Sequence, residues 1–383
     1  MVAETLVVAA LSARTLAESA RRGGWRVIAL DLFGDVDTRR ASARWQPIGD
    51  PADARIDPAR LAAALADAAS QPNVAGWVAG SGFDAPHDAA FAAAGATLPR
   101  LGMAADVVAA VRHPATFFAT LDRLGLAHPE VRTTPPHAPA GWLAKDAGGS
   151  GGGHIRAAAD TGPAPGVSPG IYWQRVHRGT PMSALFLADG RRAAIVGLNR
   201  LLVRPLGARP YVYHGAIGPI DAPALRARIA AALDALVPAF GLRGLASLDF
   251  LADSEQPVLL EINPRPSDTM ALYDARWPAG LLRAHVDALG GRLPRRTPHD
   301  ASVRGHEIVY APCAGRVDAA LAAWLASDRH AHDVPAAGTA FDAGMPVCTV
   351  GAEGTDVAGV LHELARRRQA VAASLTFPQE LPA

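Results

Sequence analysis

Apolar and polar positions along this chain follow two periods. Residues 5 to 10 form a continuous apolar run, Ser12 to Arg22 repeats its apolar positions at helical spacing, and Trp25 to Leu30 is a second apolar run that stops at Asp31. Strand-like pieces at 45–48 and 74–79 bracket an alanine-rich helix at 58–69. Strand alternating with helix predicts a parallel α/β sheet with helices on both faces. The loop after the first run, Ala9 to Arg14, lacks the G-x-G-x-x-G that brings a pyrophosphate to a helix start, so no dinucleotide site is expected despite Asp31.

A helix is predicted over 106–124, closed by Gly125 and Pro129. Proline and glycine then punctuate 133–170, with short strands expected at 142–145 and 154–157 on either side of a glycine run, the pattern of a small mobile lid. Next come a hairpin (183–188 and 192–197, turning at Asp189-Gly190), a helix at 222–239 and a second hairpin (246–251 and 257–263). Beyond Pro294-Arg295-Arg296, strands are expected near 305–310 and 346–350 and a helix near 356–368. The expected domains are 1–105, 106–295 with the lid at about 130–180, and 296–383. No internal repeat is visible.

Composition narrows the function. Of 383 residues, half are hydrophobic and 19% charged, which excludes a disordered chain. Lys plus Arg number 37 against 36 acidic residues, so no net field would hold the chain to nucleic acid or an anionic bilayer. Small-molecule partners are expected, with no nucleic acid and no membrane. Cys313 and Cys348 fit neither a disulfide framework nor a zinc knuckle. The opening residues carry Glu4 where a signal peptide would be basic, and no charge-free run reaches the ~18 residues of a membrane helix. The expected location is cytoplasmic.

Two segments carry candidate chemistry. In the second hairpin, a turn centred on Glu255 sets Asp249 directly across from Glu261, and Asn263 projects from the same face two residues on. Facing carboxylates destabilise a hairpin unless a cation bridges them, and Asp, Glu and Asn supply the oxygens that Mg²⁺ accepts. The other segment holds Lys145, the single lysine among 37 basic residues, beside the run Gly148-Gly149-Ser150-Gly151-Gly152-Gly153. Glycines let backbone N–H groups approach phosphate oxygens and the ammonium adds a point charge. Together these imply ATP-dependent chemistry with Mg²⁺ (or Mn²⁺).

On these residues the chain resembles the ATP-grasp superfamily of carboxylate-amine and carboxylate-thiol ligases along nearly its whole length. Glu261-Ile-Asn-Pro-Arg-Pro-Ser-Asp-Thr-Met270 is similar to the metal strand of biotin carboxylase and its relatives. The resemblance implies an α/β ATP-grasp fold with a Rossmann-like N-terminal domain, a glycine-rich lid and a small β-rich C-terminal domain. By it, Asp249, Glu261 and Asn263 hold Mg²⁺. Arg265 stabilises the acyl phosphate or tetrahedral intermediate, and Asp268 with Ser267 receives the amine. Lys145, Gly149, Ser150, Gly151 and Gly152 bind the ATP phosphates, with Arg112 where many members carry a second lysine. Gln174, with backbone groups of Arg175, Val176 and His177, brackets adenine. Within the superfamily the chain resembles predicted carboligases related to biotin carboxylase, carrying Asp31-Leu-Phe-Gly-Asp-Val-Asp-Thr38 and Gly344-Met-Pro-Val-Cys-Thr-Val350. Members of that group are associated with methanopterin- and methanofuran-type cofactors, which implies a glutamate ligase. The resemblance also allows a homodimer.

Ser81 and Gly82 follow an apolar strand, at the end where open α/β sheets bind ligands, and are expected to receive the carboxylate substrate. Asp31 to Asp37 is expected as an outer part of the same pocket. His330-Ala331-His332-Asp333 reads as a solvated polar loop. The expected reaction is amide formation through an acyl phosphate. The alternatives are a carboxylase or transformylase working through carboxyphosphate or formyl phosphate, and an ATP-binding protein without turnover.

Overall fold

The apolar runs at the start of the chain become parallel strands because both of their faces are covered. The computed structural model describes residues 3–84, 98–160, 170–253, 256–298 and 302–375. In order come β1 (Thr5–Ala9), α1 (Arg14–Arg22), β2 (Arg26–Asp31), α2 (Val36–Ala41), β3 (Arg44–Pro47), the two-residue β4 (Gly49–Asp50) and β5 (Arg55–Ile56), α3 (Pro58–Ala69) and β6 (Val74–Ala79). The parallel sheet runs β3-β2-β1-β6. Leu6 and Val8 pack toward α1, while Val7 and Ala9 pack toward α3. Asp57 starts α3 by accepting the N–H groups of Ala59 and Arg60, with Pro58 in the first turn.

The single helix expected over 106–124 is two, α4 (Ala105–Arg112) and α5 (Pro114–Arg123). Pro114 is the cause, since the residue before a proline is pushed out of the helical region. His113 sits at φ −84°, ψ 112°, and its ring accepts the Thr116 N–H to start α5. Beyond α5, β7 (Val131–Arg132), β8 (Trp142–Asp146), β9 (Arg156–Ala157) and β10 (Ile171–Arg175) form a sheet in the order β7-β10-β8-β9. The strand expected at 154–157 is reduced to its last two residues.

The largest sheet takes in both hairpins. It is built from β11 (Thr180–Asp189), β12 (Ala193–Leu206), β13 (Arg209–Gly218), then after α6 (Pro223–Phe240) β14 (Arg243–Ala252) and β15 (Pro257–Asn263). After α7 (Gly280–Leu289) the chain adds β16 (Val303–Tyr310), β17 (Gly315–Arg316), α8 (Ala319–Ser327), β18 (Ala331–His332), β19 (Ala340–Phe341), β20 (Pro346–Gly354) and α9 (Val357–Ala373). The order is β15-β14-β11-β12-β13-β16-β20-β18, so C-terminal strands extend the sheet begun by the hairpins. β12 runs far past the expected 197 and β13 was not expected, because Arg200, Arg204, Pro205 and Pro210 interrupt the apolar pattern of a strand pair that bulges at Leu202 and Val203. Both sheet faces are covered near β11: Leu185, Leu187 and Leu245 pack with α1 and α7, and Phe186, Leu248 and Phe250 pack with α4, α5 and α6.

Cys313 and Cys348 are both free thiols. Among the described residues no helix is long and apolar enough to cross a membrane.

His285 on α7 ties this core together. Its Nδ1 accepts the Leu245 N–H at 2.8 Å and its Nε2 lies 3.0 Å from the Leu101 carbonyl, so it is held neutral with Nε2 as donor. Burial, with Arg100 adding to it, pulls its pKa from 6.5 down to about 4. Between those values the unfolded chain binds a proton that the folded protein refuses, so stability falls as pH drops from 6.5 toward 4. The full effect is about 3 kcal/mol. Urea midpoints measured across this range should show the loss, and His285→Gln, which keeps both hydrogen bonds without titrating, should flatten it. Parallel profiles for the two proteins would refute the assignment.

Candidate active site

The β14–β15 hairpin has the register expected of it, with Asp249 opposite Glu261, Leu248 opposite Ile262 and Ser247 opposite Asn263. A bulge follows at once, since Phe250 faces Leu259 and Leu260 is extra. Leu248 and Ile262 are buried under the helices, so the alternate residues Ser247, Asp249, Glu261 and Asn263 turn to the other face and line a cleft of about 880 Å³. A slip of one residue would drive both carboxylates into the helix-covered core. Asn263 Nδ2 donates to Asp249 at 3.1 Å, which leaves the amide oxygen available. Burial and then the Glu261 charge push the Asp249 carboxyl up to about 7. Burial also acts upward on Glu261, but Arg112, Lys145 and His154 outweigh it and hold that carboxyl below its ordinary value.

Arg112, expected at the ATP phosphates, is engaged elsewhere. Its Nη1 meets Glu261 at 3.1 Å, and its Nη2 donates to the carbonyls of Ala147 and Gly149, both at 2.7 Å. Its side chain is buried and is not among the residues lining the cleft. The break at Pro114 leaves Arg112 in the last turn of α4, where it clamps the root of the glycine run to the hairpin. Gly149 belongs to this clamp and also lies outside the cleft lining; a Cβ there would strike the His154 ring.

Lys145 lines the cleft from β8. Its Nζ is 3.3 Å from Gln174 Oε1 on β10, and both side chains are buried. Burial acts to lower the Lys145 pKa, but Tyr172 and Glu261 outweigh it and raise it, so the residue stays an ammonium. Ser150, Gly151 and Gly152 also line the cleft. Gly152 has φ +74°, and a Cβ there would overlap the Tyr211 carbonyl oxygen; beside it the Gly151 carbonyl accepts the Tyr213 N–H at 2.9 Å. Only glycine lets the loop seat on β13 this closely. Arg175, Val176 and His177 line the cleft as well, but the N–H groups of Arg175 and Val176 already donate to the carbonyls of Glu130 and Gly141. Those two amides cannot serve a bound base.

Arg265 borders the cleft with one edge held by Asp84, at 2.8 and 3.0 Å, and both side chains are buried. Asp84 closes the segment that includes Ser81 and Gly82, expected at the carboxylate substrate, but its pairing with Arg265 was not foreseen; of that segment Ser81 lines the cleft and Gly82 does not. Ser267 lines the cleft with its Oγ 2.9 Å from Thr269 Oγ1. Asp268 opens to the cleft and is gripped by His306 Nε2 at 2.7 Å and Tyr213 Oη at 3.1 Å, and these two also meet each other at 2.9 Å. Burial acts upward on Asp268, but His306 outweighs it and holds the carboxyl far below its ordinary range. Neither Tyr213 nor His306 carried a sequence signal, because neither belongs to a motif and the two meet only across the β13–β16 pairing. Asp333, read as part of a solvated loop, lines the cleft too, holding Ser12 Oγ and Arg14 Nε, each at 2.9 Å.

Residues 115–269 match the ATP-grasp domain family. Among curated proteins none matches the sequence. Similar solved structures include the biotin carboxylase domain of a single-chain bacterial carboxylase, at 17% identity over 97% of this chain and 89% of that one, with a TM-score of 0.69. An L-amino acid ligase from Bacillus licheniformis covers 99% of each chain at 12% identity and a TM-score of 0.67. N5-carboxyaminoimidazole ribonucleotide synthetase from Thermus thermophilus covers 99% of each at 16% and 0.64. At these identities the likeness is one of fold, and the chain has the ATP-grasp fold.

ATP-grasp domains use ATP with Mg²⁺, and the residues present fit that pair. Two carboxylates and an amide oxygen on one face leave room for the water and phosphate oxygens that Mg²⁺ retains. Among the described residues no group of three or more His, Cys, Asp or Glu is placed to hold a metal ion. Two buried polar atoms without partners, His154 Nδ1 and Gln174 Nε2, belong to residues lining the same cleft.

Arg112→Met should leave Glu261 without its closest cation and free two lid carbonyls. The expected loss is about 2 kcal/mol in urea unfolding, with limited proteolysis between 146 and 160 becoming faster. Wild-type cleavage rates would show that Arg112 does not clamp the lid.

Proposed function

We propose that this chain is an ADP-forming ligase that joins a carboxylate to an amine through an acyl phosphate. The observation that carries this reading is the pair Asp249 and Glu261, face to face beside Asn263, with Lys145 lining the same cleft. Bound Mg²⁺, held by Asp249, Glu261 and Asn263, would neutralise charge on the triphosphate. Lys145 and the backbone of Ser150, Gly151 and Gly152 hold the phosphate oxygens, and Gln174 orients the base. A carboxylate oxygen of the substrate attacks the γ-phosphorus, the bond to the β-phosphate oxygen breaks, and ADP leaves. The amine nitrogen then attacks the acyl carbon, phosphate departs with the C–O electrons, and the nitrogen gives up one proton to it.

This chain's residues act on charge and position, with no covalent step on the protein. Arg265, one edge fixed by Asp84 and its Nη1 also 3.4 Å from the Pro266 carbonyl, would present its remaining N–H to the oxyanion of the tetrahedral intermediate. Asp268, kept ionised by His306 and Tyr213, positions the incoming amine. Ser267 and Ser81 border the carboxylate. The finer expectation, a glutamate ligase of one-carbon cofactor synthesis, rests on the sequence resemblance.

ADP release measured with a panel of carboxylates and amines tests the reading. It should require one member of each class, with glutamate included among the carboxylates. Release driven by bicarbonate or formate alone would replace it with the carboxylase or transformylase reading, and ATP binding without release across the panel would leave a binding protein. Glu261→Gln should cut turnover about a hundredfold or more and shift the Mg²⁺ titration to higher concentration. Lys145→Ala should weaken ATP use by a larger factor than it destabilises the fold, with a modest drop in the urea midpoint because Gln174 Oε1 loses its donor and Glu261 a nearby cation. A wild-type metal titration in the Glu261 variant would refute the ligand role.

A further inference from the structure

Asp35 is a buried carboxylate left without a partner in the cleft wall. It is 9% exposed and lines the cleft. It stands at the N-cap of α2, where an aspartate ordinarily accepts a helix N–H, yet its side chain caps nothing. Among the described residues no hydrogen bond or ion pair reaches its carboxylate, although its main-chain carbonyl accepts the Arg39 N–H at 2.9 Å. Every acidic neighbour is satisfied. Asp31 accepts from the amides of Ala13 and Gly34 and from Trp45 Nε1, at 3.0, 2.9 and 2.7 Å. Asp37 accepts from the amides of Asp333 and Val334, at 2.8 and 3.1 Å. Asp333 holds Ser12 and Arg14, and Arg14 also meets Glu18 at 3.1 Å and Asp37 at 3.7 Å.

Burial and then the charges of Asp333, Asp37 and Asp31 push the Asp35 carboxyl well above its ordinary value, with only Arg14 opposing them. Of the other titratable groups nearby, burial and Arg14 pull His332 down to about 4, burial pushes the Cys348 thiol up, and the Arg39 guanidinium, one turn along α2, is engaged by the Gly34 carbonyl at 2.7 Å and by the Trp45 ring. Five carboxylates, Glu18, Asp31, Asp35, Asp37 and Asp333, thus cluster around the Arg14 guanidinium, and of the two that line the cleft, Asp35 and Asp333, Asp35 is the unpaired one. Leu11, Leu32, Phe33 and Pro51 give the surrounding cleft wall an apolar surface, which suits an organic cation.

We propose that Asp35 is the seat for a substrate ammonium group that does not itself react. An ammonium is not a nucleophile, so this group is distinct from the amine that attacks the acyl carbon. It belongs either to an amino-acid carboxylate or to an amine that carries a second amino group. The inference rests on the ligase reading and names the substrate class of that site.

The test uses the full chain with Mg²⁺ and ATP and two matched pairs of probes, L-glutamate against glutarate and 1,4-diaminobutane against butylamine. The ammonium-bearing member of one pair should drive ADP release with the lower KM, and which pair responds identifies the source. Asp35→Asn should raise that KM about thirtyfold, change kcat by less than about twofold, and leave the KM of the matched probe unchanged. Its thermal midpoint should equal or exceed that of wild type, because the substitution removes an unpaired charge from an acidic cluster. An unchanged KM, or an equal rise for both members of the pair, would overturn the proposal. If no probe drives ADP release, the ligase reading fails separately, and calorimetric titration of the same probes still decides the subsite: wild type should bind a charged probe that Asp35→Asn does not, and indistinguishable titrations of the two proteins would overturn it.

Discussion

Two carboxylates are forced to face one another across a single antiparallel pair, and much of the site follows from that constraint. Asp249 and Glu261 cannot move apart by changing register, because their strand neighbours Leu248 and Ile262 are locked in the core beneath the helices. Their repulsion is relieved instead by cations brought from elsewhere in the chain. Arg112 arrives from the end of α4 and Lys145 from β8, and both act on Glu261 more than on Asp249. The pair is therefore electrically uneven, with the Glu261 carboxyl held below its ordinary value and that of Asp249 pushed above it.

Positive charge is rationed in the same way around the rest of the cleft. Arg265 is tethered to Asp84, and Arg14 to Asp333. Tethering fixes where each guanidinium points and leaves few free cations at the cleft wall, so an anionic substrate meets oriented donors instead of a diffuse basic field. Lysine differs from these arginines in lacking the planar fork that a carboxylate would grip from the side. Lys145 accordingly rests on a neutral amide, Gln174, while its charge acts on Glu261 without a side-on grip.

The fold was legible where burial is two-sided. The run at β1, the helix at 58–69 and the pairing of Asp249 with Glu261 all follow from apolar residues that admit one arrangement. Legibility failed where a single residue overrides a long pattern. Pro114 splits a helix whose apolar spacing is otherwise unbroken, and the arginines and prolines of β12 and β13 hide two strands. The site divides along the same line. Residues attached to a motif, such as Lys145 and Glu261, were readable, whereas His306 and Tyr213 become meaningful only once β13 and β16 lie side by side. Arg112 was singled out from its position, but its engagement depends on the helix break beside it. Asp333 looked solvated because nothing local shows that Ser12 and Arg14, over three hundred positions away, come to meet it.

Tyr213 has two ends, and they serve different parts of the cleft. Its main-chain N–H anchors the glycine loop through the Gly151 carbonyl, and its phenol steadies Asp268. Lifting the glycine loop would loosen the same residue that braces Asp268. On the ligase reading proposed above, nucleotide enclosure and amine docking would share a hinge pin, so the nucleotide would be covered before the second reactant finds a firm seat.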